Sequence, residues 1–164
     1  MILGMTAFTL FHVVLSLVGI LSGLVVVFGL IAANRLPGWT ATFLATTVAT
    51  SATGFLFPYH GFKPSYVVGT VSLIVLAIAI FALYGRGLAG AWRRTYVVSA
   101  VLSLYLNVFV LIAQLFMKVP ALQALAPTQS EPPFLVTQVV VMVIFIALGF
   151  LAGKRFPAEM AQAA

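Results

Sequence analysis

The chain has 164 residues, 63% of them hydrophobic and only 6% charged, with no cysteine and a net charge of +6. Soluble domains carry about 25% charged residues, so this composition excludes a water-facing fold, and the missing cysteine excludes disulfides, thiolate metal sites and cysteine nucleophiles. The basic residues stand singly between apolar runs, with no basic patch interleaved with aromatics; that argues against nucleic acid and for lipid headgroups at the edges of membrane spans.

A transmembrane helix needs roughly 20 apolar residues. In chain order the sequence offers five such stretches: Phe8–Ala32, Trp39–Phe57, Tyr66–Tyr84, Thr95–Met117 and Phe134–Gly153. The breaks between them are rich in turn residues. They are Asn34-Arg35-Leu36-Pro37-Gly38, the proline-bounded Pro58–Pro64, the basic loop from Gly85 to Arg94, and the long connection Lys118–Pro133. In that last loop Ala121–Ala126 has room for one or two helical turns. The N-terminus has no basic region ahead of its apolar run, so the first span is expected to stay in the mature protein. The fold class read from this pattern is an all-α membrane bundle of five helices, one domain over residues 1–164.

Charge orients the bundle. Five crossings put Arg35, Arg86, Arg93, Arg94, Lys154 and Arg155 on one side and only Lys63 and Lys118 on the other. The positive-inside rule makes the first side cytoplasmic, with the N-terminus outside and the C-terminus inside. Trp39 and Trp92 then fall at the inner interface, where indole rings favour the headgroup region. A four-span reading, with the second stretch re-entrant, would mix the charges.

Helical periodicity sorts the polar residues into faces. His12, Ser16, Gly19 and Gly23 share a face of the first span, and Gln138, Met142, Phe145 and Gly149 share one of the fifth. Gly19/Gly23 and Gly149/Gly153 have GxxxG spacing, which lets backbones approach closely, within the protomer or between copies. Thr42, Thr46, Thr50 and Thr53 form a stripe on the second span, read as packing or as a wet track. Ser99, Ser103, Asn107 and Gln114 share a face of the fourth. The amides there are too costly to expose to acyl chains and should face the interior. The third span, with only Thr70 and Ser72 in its core, is the expected peripheral helix.

With that orientation His12 lies about 10 Å or less below the outer surface. Thr53, Gln114 and Gln138 lie at similar depth, and Asn107 lies deeper. Phe8, Phe11, Phe55, Phe57, Phe116 and Phe134 share that depth, and a loop carrying Tyr59, His60 and Lys63 and another carrying Glu131 lie above. Apolar walls with a few convergent polar groups describe a ligand site, and an intramembrane ionisable residue is a functional hypothesis. The candidate ligand-binding set is therefore His12, Gln114 and Gln138 as anchors, with Asn107, Thr53 and Glu131 secondary. The bland reading of His12 is a histidine satisfied by Gln114 or Thr53.

Other chemistry finds little support. Gly85-Arg86-Gly87-Leu88-Ala89-Gly90 matches GxGxxG, but it lies between apolar helices and not in a βαβ unit. Haem by bis-histidine ligation needs a second intramembrane histidine, which is lacking. No pair among His12, His60 and Glu131 has diagnostic metal spacing. The chain has no aspartate, so a Ser-His-Asp triad is excluded, and no span carries a carboxylate to relay ions. This points away from an enzyme.

The stretch 107–138, NVFVLIAQLFMKVPALQALAPTQSEPPFLVTQ, carries Gln114, Lys118-Val119-Pro120, Leu125-Ala126-Pro127-Thr128 and Glu131-Pro132-Pro133-Phe134. In these it resembles a group of small uncharacterised bacterial multi-pass membrane proteins. The resemblance covers about a fifth of the chain. It implies a bacterial inner-membrane location and brings no activity. In size and character the chain is also similar to bacterial proteins of the DoxX type. Those have four spans, so the five expected here are a departure and no residue is carried over. The leading expectation is a membrane protein, non-catalytic or a redox or respiratory accessory, that binds a quinone or lipid at an outer-leaflet polar pocket. The competing classes are a structural subunit of a larger membrane complex or homo-oligomer, and a transporter or oligomeric pore.

Overall fold

Thr6 accepts the Thr9 N–H on its side-chain oxygen, an N-cap that starts α1 (Ala7–Ile31). The computed structural model describes residues 6–57 and 64–156. Five further helices follow: α2 (Pro37–Gly54), α3 (Pro64–Ile80), α4 (Trp92–Lys118), the short α5 (Pro120–Leu125) and α6 (Pro132–Arg155). No strand occurs among the described residues. Proline stands at or next to the first position of α2, α5 and α6, where its missing N–H costs nothing. The end of α3 widens into a π turn over Phe81–Gly85, closed by the Arg86 N–H on the Phe81 carbonyl at 2.9 Å.

The helices alternate in direction. Gly19 lies against Thr47 and Gly23 against Phe43, so α2 runs antiparallel to α1 along most of its length. Ser51 meets Ser72 at 3.0 Å, and Phe55 lies over Gly69, so α3 reverses again. Ser16 meets Asn107, and Gly23 meets Leu104, which sets α4 antiparallel to α1. Gln138 meets Phe109 and Gly149 meets Val101, which sets α6 antiparallel to α4. Arg35, Arg86, Arg93, Arg94, Lys154 and Arg155 consequently gather at one end, with Lys118 at the other. At the basic end Arg93 donates to the carbonyl oxygens of Gly153 and Phe156, placing a cation on the unsatisfied C-terminus of α6.

Four helical stretches are long and apolar enough to cross a membrane: Ala7–Ile31, Tyr66–Gly85, Trp92–Lys118 and Pro132–Arg155. The chain is thus a multi-pass helical membrane protein in character. Its surface agrees with that. Leu21, Phe28, Val143, Ile146 and Phe150 are all exposed, while Ser22, Thr47, Ser103, Asn107 and Gln138 are buried. That is the inverse of a water-soluble surface. The most exposed of the four is α6, not the third helix expected to be peripheral. One periodic face of α6 (Phe134, Gln138, Phe145, Ala152) supplies all its buried positions.

The second helix falls outside those four because its 18 residues, six of them threonine, are not apolar enough. Four of its threonine hydroxyls are nonetheless turned onto its own backbone. Thr42 donates to Gly38 O at 3.0 Å, Thr46 to Thr42 O at 2.7 Å, Thr50 to Thr46 O at 2.8 Å and Thr53 to Ala49 O at 2.7 Å. Each such bond removes a polar group that would otherwise need water. The turn that leads into α2 is tight, with Leu36 in left-handed backbone at φ 44° and its side chain over Gly29. A Cβ at residue 29 would stand 2.6 Å from Leu36 Cδ1 and 3.1 Å from Asn34 O, so a larger residue there would push the Leu36 side chain aside.

Candidate functional site

The polar residues of the helix faces form a column at the seam where α1 meets α2 and α4. At its Lys118 end, His12 Nδ1 lies 2.9 Å from Thr53 Oγ1. Thr53 has a single proton, and the 2.7 Å bond to Ala49 O takes it. Thr53 therefore accepts from His12, which fixes the neutral ring as the Nδ1–H tautomer and leaves Nε2 as a lone-pair acceptor. No described residue bonds Nε2. The ring is half-buried, edge-on to Phe57 at 5.1 Å, and Phe57 lies 4.9 Å from Phe8.

One turn along α1, Ser16 donates to Asn107 Oδ1 at 2.9 Å. The Asn107 Nδ2 donor is buried and has no partner among the described residues, and neither has Thr47 Oγ1. Both surround Gly19: a Cβ there would stand 3.0 Å from Thr47 Oγ1 and 3.3 Å from Asn107 Nδ2. Gly23, one turn further, is tighter, with Leu104 Cδ1 at 2.7 Å and the Phe43 ring at 2.8 Å from such a Cβ. The first GxxxG pair thus seats α2 and α4 on α1. Of the second, Gly149 faces Val101 at 3.4 Å, and Gly153 has open space around it.

The remaining candidates lie apart from the column. Gln138 donates to Phe109 O at 3.1 Å between α6 and α4, and its Oε1 is buried without a partner. Gln114 is half-buried on α4 and bonds no described residue. Glu131 is engaged by its own loop. It accepts from Thr128 Oγ1 at 2.8 Å, Thr128 N at 3.1 Å and Ser130 N at 3.1 Å. Desolvation works to raise its carboxyl, but the Thr128 hydroxyl and the N–H groups of Glu131, Thr128 and Ser130 outweigh it. They hold the group below the ordinary carboxylate range. The loop is tied down by Gln129, which donates to Ala113 O at 3.2 Å, and by Phe116 edge-on to Phe134 at 5.4 Å.

The structure therefore joins His12 to Thr53 and Asn107 to Ser16, and it sets Gln138, Gln114 and Glu131 in other surroundings. Thr47 is the participant that sequence reading passed over. It sits off the Thr42–Thr53 stripe by one position, and only the approach of α1 shows why its hydroxyl is enclosed. Tyr59, His60 and Lys63 lie outside the described residues. Among the described residues no group of three His, Asp or Glu side chains is placed to hold a metal ion. No family model, curated protein or solved structure matches the chain.

Proposed function

We propose that the chain is a bacterial inner-membrane protein of five crossings, N-terminus outside, that binds a hydroxyl-bearing membrane-soluble molecule, a quinol or a lipid, at His12. The strict alternation of helix direction supports five crossings. So does the length of α2, about 27 Å at 1.5 Å per residue against a hydrocarbon layer of about 30 Å. The gathering of six basic residues at one end supports the orientation.

The observation that carries the ligand reading is that Thr53 Oγ1 holds His12 Nδ1 at 2.9 Å while no described residue bonds Nε2. That nitrogen is an acceptor beside the Phe57 ring, and acyl chains offer it no donor. A quinol or lipid O–H would satisfy it, with Phe8 and Phe57 beside the ring or chain. The Thr42–Thr53 hydroxyls are engaged by their own helix, which weighs against a wet track and hence against a pore.

The test is mass spectrometry of everything extractable from protein purified in mild detergent. A stoichiometric quinol or lipid present in the wild type and lost in His12→Ala is the expected result. A wild-type preparation with no stoichiometric small molecule, or one retained in His12→Ala, overturns the reading. A second reading, a structural subunit of a larger membrane complex, is favoured by the broad apolar face of α6 over Val139, Val143, Ile146 and Phe150. Co-purification of one stoichiometric membrane partner, lost when Val143 and Ile146 become Trp, would support it.

A further inference from the structure

Across α4 from the polar column lies a group that the His12 site does not use. Tyr105 is the middle residue of α4, about 20 Å from either end. It precedes Asn107 by two residues and so stands on the opposite face of the helix. Tyr66, Tyr84 and Tyr96 instead fall towards helix ends, where a phenol meets headgroups and water.

Packing fixes the ring. It lies 5.7 Å from Phe145 of α6 and 6.2 Å from Phe109 of its own helix, tilted to both. The side chain is half-buried, and its hydroxyl bonds no described residue and is not sealed inside the bundle. That hydroxyl therefore faces the hydrocarbon layer. The layer is about 30 Å thick, so headgroups lie about 15 Å away, beyond the reach of the side chain. Acyl chains offer no hydrogen bond, and an unpaired hydroxyl among them is costly.

The rest of this face has the pattern of a helix seam. Val98, Leu102, Tyr105 and Phe109 follow one another at intervals of four, three and four residues, the spacing of a and d positions in paired helices. Val98 is 61% exposed and Leu102 38%, so the described chain leaves the seam open. An occupant must fit that seam and bring a hydrogen-bonding group to mid-depth. A second copy does both. The charge bias sets every copy the same way up, so a two-fold axis along the membrane normal brings each Tyr105 to its equivalent at equal depth. A phenol both donates and accepts, so one hydroxyl donates to the other.

We propose that the chain forms a parallel two-fold dimer through the outer face of α4, with the two Tyr105 hydroxyls hydrogen-bonded at its centre. The dimer rests on the common orientation proposed above and is independent of the ligand at His12. The chain has no cysteine, so single introduced cysteines report its contacts cleanly. Val98→Cys should crosslink to itself through a short bismaleimide in the membranes where the chain is made, and Val143→Cys, on α6, should not. Sedimentation equilibrium of the full chain in mild detergent should give a dimer. Tyr105→Phe should raise its dissociation constant about threefold, the weight of one hydrogen bond between membrane helices. The same change should leave the unfolding temperature of the monomer where it was, since the hydroxyl bonds no described residue. Leu102→Trp, which puts bulk on the seam, should abolish the dimer. A chain that stays monomeric and gives no Val98→Cys crosslink overturns the proposal, as does a dimer unchanged in both Tyr105→Phe and Leu102→Trp. A different membrane protein or a small molecule that co-purifies and is lost in Tyr105→Phe overturns it in favour of that occupant. Crosslinking of Val98→Cys only to Ile112→Cys sets the copies antiparallel, and overturns the common orientation together with the proposal.

Discussion

The two ends of the bundle handle polar groups in opposite ways. At the His12 end they are matched across helices: His12 to Thr53, Ser16 to Asn107, Gln138 to the Phe109 carbonyl. At the basic end Arg35, Tyr84 and Thr40 line an open cavity, and Arg93 is tied to the C-terminus of α6. The difference follows from the solvent each meets. Acyl chains offer no hydrogen bonds, so a side chain within the span must find its partner on another helix or on its own backbone. Headgroups and interfacial water offer many, so a cavity there costs little. An unmatched atom therefore carries more information at the first end than at the second. That is why His12 Nε2, Asn107 Nδ2 and Thr47 Oγ1 stand out.

The contrast can be broken most severely at the helix seam. Gly23→Leu forces a side chain into Leu104 and Phe43, and should cost about 3 kcal/mol or more, read as a large fall in thermal unfolding temperature in detergent. Gly153→Leu, with nothing within 4 Å, should leave that temperature unchanged. Equal effects of the two would mean that α1 is not seated on α2 and α4. Asn107→Ala should cost about 1–3 kcal/mol by leaving Ser16 and a cavity behind. The Ser16–Asn107 coupling itself, from a double-mutant cycle, should be about 0.6 kcal/mol and no more than about 1.7.

Thr47→Val sharpens the comparison in the other direction. It removes a buried hydroxyl that bonds nothing and keeps its shape, so stability should stay within about 0.5 kcal/mol or rise. A loss above about 1 kcal/mol would show that the hydroxyl has a partner. The smallest effect belongs to the loop. Glu131 has its carboxyl held below its ordinary value of 4.5, so its contribution is full above that value. It is lost as pH falls through the lower native one. Hydrogen exchange of residues 128–131 should therefore quicken on acidification below that window, and Glu131→Gln should abolish the dependence. A loop that loosens instead on raising the pH would reverse the sign and refute the assignment.

Much of this was legible in one dimension. The apolar runs locate the helices to within a few residues, because a backbone in hydrocarbon must close its own hydrogen bonds and the stretch needed is long. Phe8–Ala32 became Ala7–Ile31, and Thr95–Met117 became Trp92–Lys118. The helical turn expected within Ala121–Ala126 formed as Pro120–Leu125. The pairing of His12 with Thr53 was one of the open alternatives, and depth alone suggested it. Depth did not separate Gln114 and Gln138 from that pair, since equal depth on four helices leaves the rotation of each helix undecided.

What the sequence determined by itself is the class of solvent, the helix boundaries to within a few residues and the end to which each described charge belongs. These follow from local composition and from the 1.5 Å rise of the helix. What only the tertiary structure decided is which faces meet. Helices in lipid associate through close packing and a few hydrogen bonds, without a hydrophobic stripe to mark the interface. Gly19 and Gly153 look alike in the sequence, yet the first is enclosed by Thr47 and Asn107 and the second by nothing. The same holds for α3 and α6. Their composition gives no warning that α6 is the more exposed, because lipid-facing and core-facing residues are equally apolar.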